Sequence, residues 1–197
     1  VAFTLANGMK MNVYHSADTT TTAMALVFPR GTTVTNGARK GLVELAIDVR
    51  ARGAGAMTMA ELSLALDKAG ARVNSDSTDH ATMFTAAAPT RNFAALAELF
   101  ALVMTKPRFD GREWQTQVEQ RAQSIEQRLR DPSIVANRAA SKASFPEGAA
   151  EGELSDATKV RGFAKEDAET VYHAMLDPGA ARLEVATALP PEDISQA

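Results

Sequence analysis

The alternation of strand-like and helix-like segments constrains the fold of this chain most. Asn7-Gly8 lies between two short strand patterns, and Asn-Gly tolerates the positive φ angles of a tight hairpin turn. Residues 58–61 (TMAE) have the pattern of a capping box that begins a helix, and Gly70 is placed to end that helix. Strands are predicted at residues 2–5, 9–15, 22–28, 72–76, 82–88 and 181–188, and helices at about 37–52, 59–69, 90–106, 111–130, 133–145 and 165–176. This mixed order of strands and helices predicts an α+β fold.

The strand at residues 22–28 carries apolar side chains at both alternating sets of positions. Ala23, Ala25 and Val27 fall on one face, and Met24, Leu26 and Phe28 fall on the other. A strand that is apolar on both faces is typical of one that is covered on both sides. We therefore expect this strand to lie inside the domain.

Composition bounds the size of the domain and excludes several classes of partner. The 197 residues carry a net charge of −3, which argues against a nucleic-acid surface or a polybasic membrane surface. No apolar run approaches the ~20 residues of a membrane span. The absence of cysteine excludes thiolate zinc sites and fits any compartment.

We predict one domain at residues 1–188 and a linker at residues 189–197, within a piece of a longer protein.

The helix predicted at residues 37–52 carries two acidic residues, Glu44 and Asp48, on one side. They are four positions apart and could bind a hard cation such as Ca²⁺, Mg²⁺ or Mn²⁺ if Glu126 completed the site. The alternative includes Lys40 and Arg52, which continue the same line at the same spacing. The four residues would then form an exposed stripe of alternating charge with i,i+4 ion pairs. The alternating stripe is the favoured interpretation.

The ordered set of segments resembles the pitrilysin/insulinase family of metallopeptidases, family M16, which includes the mitochondrial processing peptidase. The resemblance covers nearly the whole chain and rests on six pieces: 3–8 (FTLANG), 41–49 (GLVELAIDV), 70–74 (GARVN), 106–109 (KPRF), 129–132 (LRDP) and 163–167 (FAKED). It implies one α+β domain in which a mostly antiparallel sheet is packed with helices. In this family that domain repeats within the assembly, and bacterial relatives are compatible with a periplasmic or secreted location.

The resemblance also implies that the catalytic residues of the family are absent here. The equivalent helix of an active member carries His-x-x-Glu-His, in which two histidines bind zinc and the glutamate is the general base. The corresponding positions here are Glu44, Ile47 and Asp48, and the third-ligand position falls at Ser124, or at Glu126 if the register differs. Because isoleucine cannot accept a proton, we expect no peptide hydrolysis by this mechanism. Zinc and the base would come from another domain or a partner subunit, and this domain itself would hold no cofactor.

The strand segment Val73-Asn74-Ser75 is similar to the family's strand that pairs with the substrate backbone. An edge strand with unpaired amides and carbonyls could add an extended peptide. Equally, Asn74 could simply end a strand before a turn at residues 77–79. The expected partners are a sister domain or catalytic subunit and an extended peptide. The alternative function is that of a non-enzymatic scaffold derived from the peptidase fold.

Overall fold

A six-stranded mixed sheet organises the computed structural model, which describes residues 1–35, 39–147, 149 and 152–196. The strands are β1 (Ala2–Thr4), β2 (Lys10–His15), β3 (Thr21–Phe28), β6 (Arg72–Ser77), β7 (Thr82–Pro89) and β8 (Arg182–Thr187), with β4 (Gly53–Ala54) and β5 (Met57–Thr58) in a separate small sheet. Their order in the large sheet is β1-β2-β8-β3-β7-β6. Among the described strands of this sheet, β2 and β8 pair in parallel, and all other neighbours are antiparallel. The predicted α+β fold with a mostly antiparallel sheet is confirmed.

Eight helices connect or follow these strands in the described part of the chain. They are α1 (Leu42–Arg50), α2 (Met59–Ala69), α3 (Phe93–Thr105), α4 (Gly111–Arg128), α5 (Pro132–Ser144), α6 (Ala157–Arg161), α7 (Lys165–Met175) and α8 (Pro191–Gln196). The predicted start of the first helix at Gly37 lies outside the described residues. The capping box of α2 is confirmed, because Glu61 N–H donates to Thr58 Oγ1 and Thr58 N–H donates to Glu61 Oε2. None of the described helices is long and apolar enough to cross a bilayer.

The prediction that β3 is covered on both sides is wrong. Thr22, Met24, Leu26 and Phe28 are buried under the helices, but on the opposite face Ala23 is exposed, and Ala25 and Val27 are only half-buried. Two of the three residues on that face are alanines, and exposing so small an apolar side chain to water costs little free energy. The apolar pattern therefore did not discriminate a covered face from an open one.

Helix α1 lies between two hydrophobic clusters and is almost completely buried. Val43 and Ile47 contact the cluster that covers the sheet, together with residues of α2 and α3. Leu42, Leu45 and Val49 belong to a second cluster formed with α4, α6 and α7. Only Glu44 and Asp48 of this helix are half-buried, so they are the side chains that α1 presents towards solvent.

Arg50 is buried in α1, and no carboxylate within the described ranges pairs with it. Its guanidinium carbon lies 4.6 Å from the centre of the Phe84 ring, and Nη1 donates to Met104 Sδ at 3.4 Å. Burial lowers the pKa of Arg50. Tyr172 of α7 donates its hydroxyl to the carbonyl oxygen of Met104 at 2.9 Å. The contacts of Arg50 join α1 to β7 and α3, and the hydrogen bond of Tyr172 joins α7 to α3.

The segment predicted as a linker, residues 189–197, contains the short helix α8. Its Ile194 is 5% exposed and belongs to the cluster that covers the sheet. This part of the segment therefore packs on the domain, because burial of the Ile194 side chain in the core is favourable. The division into a domain at residues 1–188 and a linker beyond it stays a prediction.

Candidate functional site

Arg121 of α4 lies against both acidic residues of α1. Its Nη2 is 3.5 Å from Glu44 Oε1, and its Nη1 is 3.4 Å from Asp48 Oδ2. The three side chains are 30%, 20% and 43% exposed, respectively, so the ion pairs are only partly screened by water. One cationic group thus neutralises part of the charge of two carboxylates that are one helical turn apart.

Arg121 was not predicted as a site residue from the sequence, although the apolar stripe of α4 indicates its position. The apolar stripe of α4 includes Trp114, Val118 and Ala122, all of which are buried. Gln117 and Arg121 immediately precede Val118 and Ala122, so both polar side chains start from the border of the buried face. A cation at that border is close enough to the facing helix to pair with an acidic residue there.

The structure does not bring the predicted third-ligand residues to Glu44 and Asp48. Glu126 accepts from Arg161 Nη1 of α6 at 2.6 Å, which places its carboxylate in a different ion pair. Ser124 is exposed on α4. Among the residues that the structure describes, no three His, Cys, Asp or Glu side chains converge on a possible metal position. The equivalence of Glu44, Ile47, Asp48 and Ser124 to the family's catalytic positions stays a prediction.

The donor set around α1 does not fit zinc. No histidine faces Glu44 and Asp48 in the described structure, and the guanidinium of Arg121 already lies where a cation would bind. Ile47, the neighbour of these acids, is 4% exposed and contributes to the core. The site therefore has neither a zinc ligand set nor a proton acceptor at residue 47.

The predicted i,i+4 ion pairs of Lys40 with Glu44 and of Asp48 with Arg52 do not form in the described structure, so this prediction is wrong. Lys40 Nζ lies 2.9 Å from Asp79 Oδ1, beyond the end of β6, and not beside Glu44. Arg52 donates to the side-chain oxygen of Gln117 at 3.2 Å when that amide is oriented to satisfy both groups. Contacts with other elements therefore replace the local pairs, because α1 is packed on nearly all sides.

Removal of the Asp48 charge should stabilise the protein at neutral pH. Burial raises the pKa of Asp48, and Arg121 opposes this effect only in part. A carboxyl with a raised pKa in the folded state stabilises the fold most below its unfolded value, 3.8, and loses that contribution as the pH rises through the folded pKa. We expect Asp48→Asn to be more stable than the parent at pH 7 and equal to it near pH 3.

Urea unfolding of both proteins across this pH range measures the difference. Asp18→Asn, at an exposed position, is the control for a lost surface charge. If Asp48→Asn were less stable than the parent at pH 7, pairing with Arg121 would outweigh the cost of desolvation.

Strand β6 forms one edge of the large sheet, and no strand in the described part of the chain pairs with its outer side. The N–H of Thr78 donates to the carbonyl oxygen of Ala81 at 2.8 Å, which makes these two residues a hydrogen-bonded pair. Because the two pair types alternate along an antiparallel ladder, Val73, Ser75 and Ser77 form non-hydrogen-bonded pairs with β7. Their N–H and C=O groups point to the open edge, where no described strand pairs with them.

Two adjoining hollows lie between this edge and the helices. One, of about 350 Å³, is lined mainly by apolar side chains: Ile47, Ala51, Met59, Leu62, Leu66 and Val73, with Asp48, Arg52, Ser63 and Ser75. The other, of about 320 Å³, is lined by Glu44, Ile47, Asp48, Ser75, Asp76, Ser77 and Arg121. We call the two together the edge groove. The structure thus brings Val73 and Ser75 together with Glu44, Ile47 and Asp48, whereas Asn74 lines a hollow on the opposite face of the sheet.

Comparisons with known proteins place these features in a family context. The family model described as Insulinase (Peptidase family M16) matches residues 10–157. No curated protein sequence matches the chain significantly. The crystal structure of pitrilysin superposes with a TM-score of 0.83 at 14% identity, covering 98% of this chain and 21% of pitrilysin.

A second solved structure is that of a peptidase M16 inactive domain from Pseudomonas fluorescens. It superposes with a TM-score of 0.86 at 15% identity and covers 100% of this chain and 48% of that chain. At these identities the likeness to both structures shows the fold alone. The chain spans about a fifth of pitrilysin and about half of the Pseudomonas fluorescens chain.

Proposed function

The chain belongs to peptidase family M16, and we propose that it is a non-catalytic domain of a zinc peptidase, which binds an extended peptide along the free edge of β6. In this proposal zinc and the general base belong to another domain of the same polypeptide or to a partner subunit. The domain contributes by holding and orienting the peptide, and positioning of this kind lowers the barrier to reaction without chemistry of its own.

One observation carries the proposal: the guanidinium of Arg121 lies between Glu44 and Asp48, directly beside the open edge of β6. A fixed positive charge repels a divalent cation from Glu44 and Asp48, the two residues predicted to correspond to the family's zinc-binding histidines. The buried Ile47 offers no base for proton transfer. Neither Arg121 nor Ile47 blocks the free edge of β6. A peptide could therefore bind at this edge although it could not be hydrolysed there.

The backbone of β6 supports strand addition in particular. Val73, Ser75 and Ser77 present alternate N–H and C=O groups outward, which is the pattern that an added strand requires. The groove beside them offers space for the side chains that the peptide would point towards the helices. Main-chain hydrogen bonds would supply affinity, and the two hollows would supply preference among side chains.

Proline at position 75 tests strand addition without breaking the sheet. Ser75 is exposed, and its N–H points away from β7, so Ser75→Pro removes an outward donor and no donor of the β6–β7 ladder. We expect Ser75→Pro to bind unstructured peptides at least ~10-fold more weakly than the parent, whereas Ser75→Ala, which keeps the N–H, binds nearly as the parent does. Fluorescence anisotropy of labelled peptides measures the affinity, and circular dichroism verifies the fold.

The same assay separates peptide binding from a scaffold role. A parent domain that binds no extended peptide, alone or with its catalytic partner, would overturn the proposal and favour the non-enzymatic scaffold. Equal binding by the folded Ser75→Pro and Ser75→Ala variants would show that peptides bind somewhere other than the edge of β6.

A further inference from the structure

The two hollows of the edge groove differ in chemistry although both lie on the helix side of β6. The hollow beside Val73 is walled by Leu62, Leu66 and the 40%-exposed Met59. The hollow beside Ser75 and Ser77 is walled by the acids and by Arg121. A peptide in the groove would therefore meet a mainly apolar environment at one position and a charged environment at the next position on that side.

Glu44, one of the acids that line the charged hollow, is incompletely paired. Glu44 Oε1 contacts Arg121, but Glu44 Oε2 is buried and has no hydrogen-bond partner. With both acids ionised, Glu44, Asp48 and Arg121 together carry a net negative charge. A buried carboxylate oxygen without a partner is costly, and a donated N–H from a ligand would offset that cost.

The observed Arg121 contact indicates which type of donor suits this place. A guanidinium already lies within 3.5 Å of both carboxylates, so the pair accommodates a cationic nitrogen group. The pair is reached from the open edge of β6, because Ser75 and Ser77 line the same hollow. A lysine or arginine side chain of a bound peptide would complement the remaining charge.

Strand geometry relates the two hollows in a peptide sequence. Successive side chains on one face of a strand are about 7 Å apart and two residues apart in sequence. The two hollows adjoin each other and share Ile47, Asp48 and Ser75. Along β6, the apolar hollow lies at Val73 and the charged hollow lies at Ser77. Neighbouring same-face side chains of one peptide would thus enter the two hollows.

We infer that the edge groove selects extended peptides in which an apolar residue and a basic residue are separated by one residue. The preference rests on the proposed peptide binding at β6, and it names the class of peptide that this site takes. The apolar side chain occupies the hollow at Met59, Leu62 and Leu66, and the basic side chain binds at Glu44 and Asp48.

A set of otherwise identical peptides tests the spacing. Leu and Lys are placed two apart in both orders, to cover parallel and antiparallel addition, and three apart as the matched control, which turns one side chain to the opposite face. We expect one of the two peptides with Leu and Lys two positions apart to bind at least ~10-fold tighter than the peptides with three-position spacing. Replacing its Lys by Gln, or its Leu by Ser, should weaken binding by about the same factor. Binding that is the same for every spacing would overturn the inference.

Glu44→Gln identifies the basic subsite. In a double-mutant cycle, the Lys-to-Gln change in the peptide should weaken binding to the parent and have little effect on binding to the Glu44→Gln variant. Met59→Ser should likewise reduce the preference for Leu. If all peptides bind equally well and Ser75→Pro still abolishes binding, the strand-addition proposal stands and the side-chain preference is wrong. If no peptide binds, both are wrong.

Discussion

Alanine at position 31 should destabilise the domain by more than about 3 kcal/mol, one of the largest effects expected from a single methyl group. A Cβ atom at Gly31 would lie 2.1 Å from the carbonyl oxygen of Thr78 and 2.7 Å from the backbone N of Ala81. Both contacts are with backbone, so no side-chain rotation relieves them. The segment after β3 would have to separate from the β6–β7 turn, although Thr32 N–H donates to that same Thr78 oxygen at 2.9 Å.

Thermal unfolding measures this loss directly. For a domain of this size about 3 kcal/mol corresponds to a Tm lower by at least ~6 °C. Gly111→Ala is the matched control, because nothing lies within 4 Å of its added Cβ and the residue is the first of α4. This change should leave Tm unchanged or raise it slightly, since alanine favours helix. A folded Gly31→Ala protein with the Tm of the parent would refute the close approach of the two backbone segments.

Three substitutions together should convert the α1–α4 contact into a zinc site. Glu44→His, Asp48→His and Arg121→Glu would supply two histidines one helical turn apart and a carboxylate on the facing helix, a ligand set that zinc favours. Excess zinc, at about 100 times Kd, should then stabilise the triple variant by roughly 2.7 kcal/mol, and the parent not at all. With Ile47 unchanged, the variant should bind zinc and still hydrolyse no peptide.

The double variant Glu44→His/Asp48→His is the control for the role of Arg121. It keeps the guanidinium beside the two histidines, so we expect zinc to bind at least ~10-fold more weakly than to the triple variant. Melting curves with and without zinc, and direct titration of the metal, report both results. A folded triple variant whose Tm is independent of zinc would show that residues 44, 48 and 121 do not converge on one point.

The sequence predicted local features better than contacts between distant elements. The hairpin at Asn7-Gly8 and the capping box at Thr58 form from residues near one another, so the pattern contains all the necessary chemistry. The α+β fold likewise followed from the order of segments. The stripe of α4 places Arg121 at the border of the buried face, but its partners on α1 are more than 70 positions away, and the stripe does not identify them.

The lack of information about distant contacts also explains why α1 was predicted to have an exposed, charged face. Alternating charges at four-residue spacing are typical of an exposed helix face, and this pattern predicted local pairs. In the structure seven of the nine residues of α1 are buried, and the nearby charged residues contact α4 or the β6–β7 turn. Burial of a helix between two clusters depends on the arrangement of α4, α6 and α7, which periodicity within one segment does not reveal.

The position of β8 in the sheet has a consequence for how the chain folds. This strand, formed by residues 182–187, lies between β2 and β3, and its parallel register joins Asn12 to Glu184. During synthesis, the β1–β2 hairpin and the β3–β7–β6 part of the sheet have no strand between them until residues 182–187 have left the ribosome. Contacts of such long sequence separation are slow to form. We therefore expect the sheet to close late, and nascent chains that stop before residue 182 to require protection from aggregation.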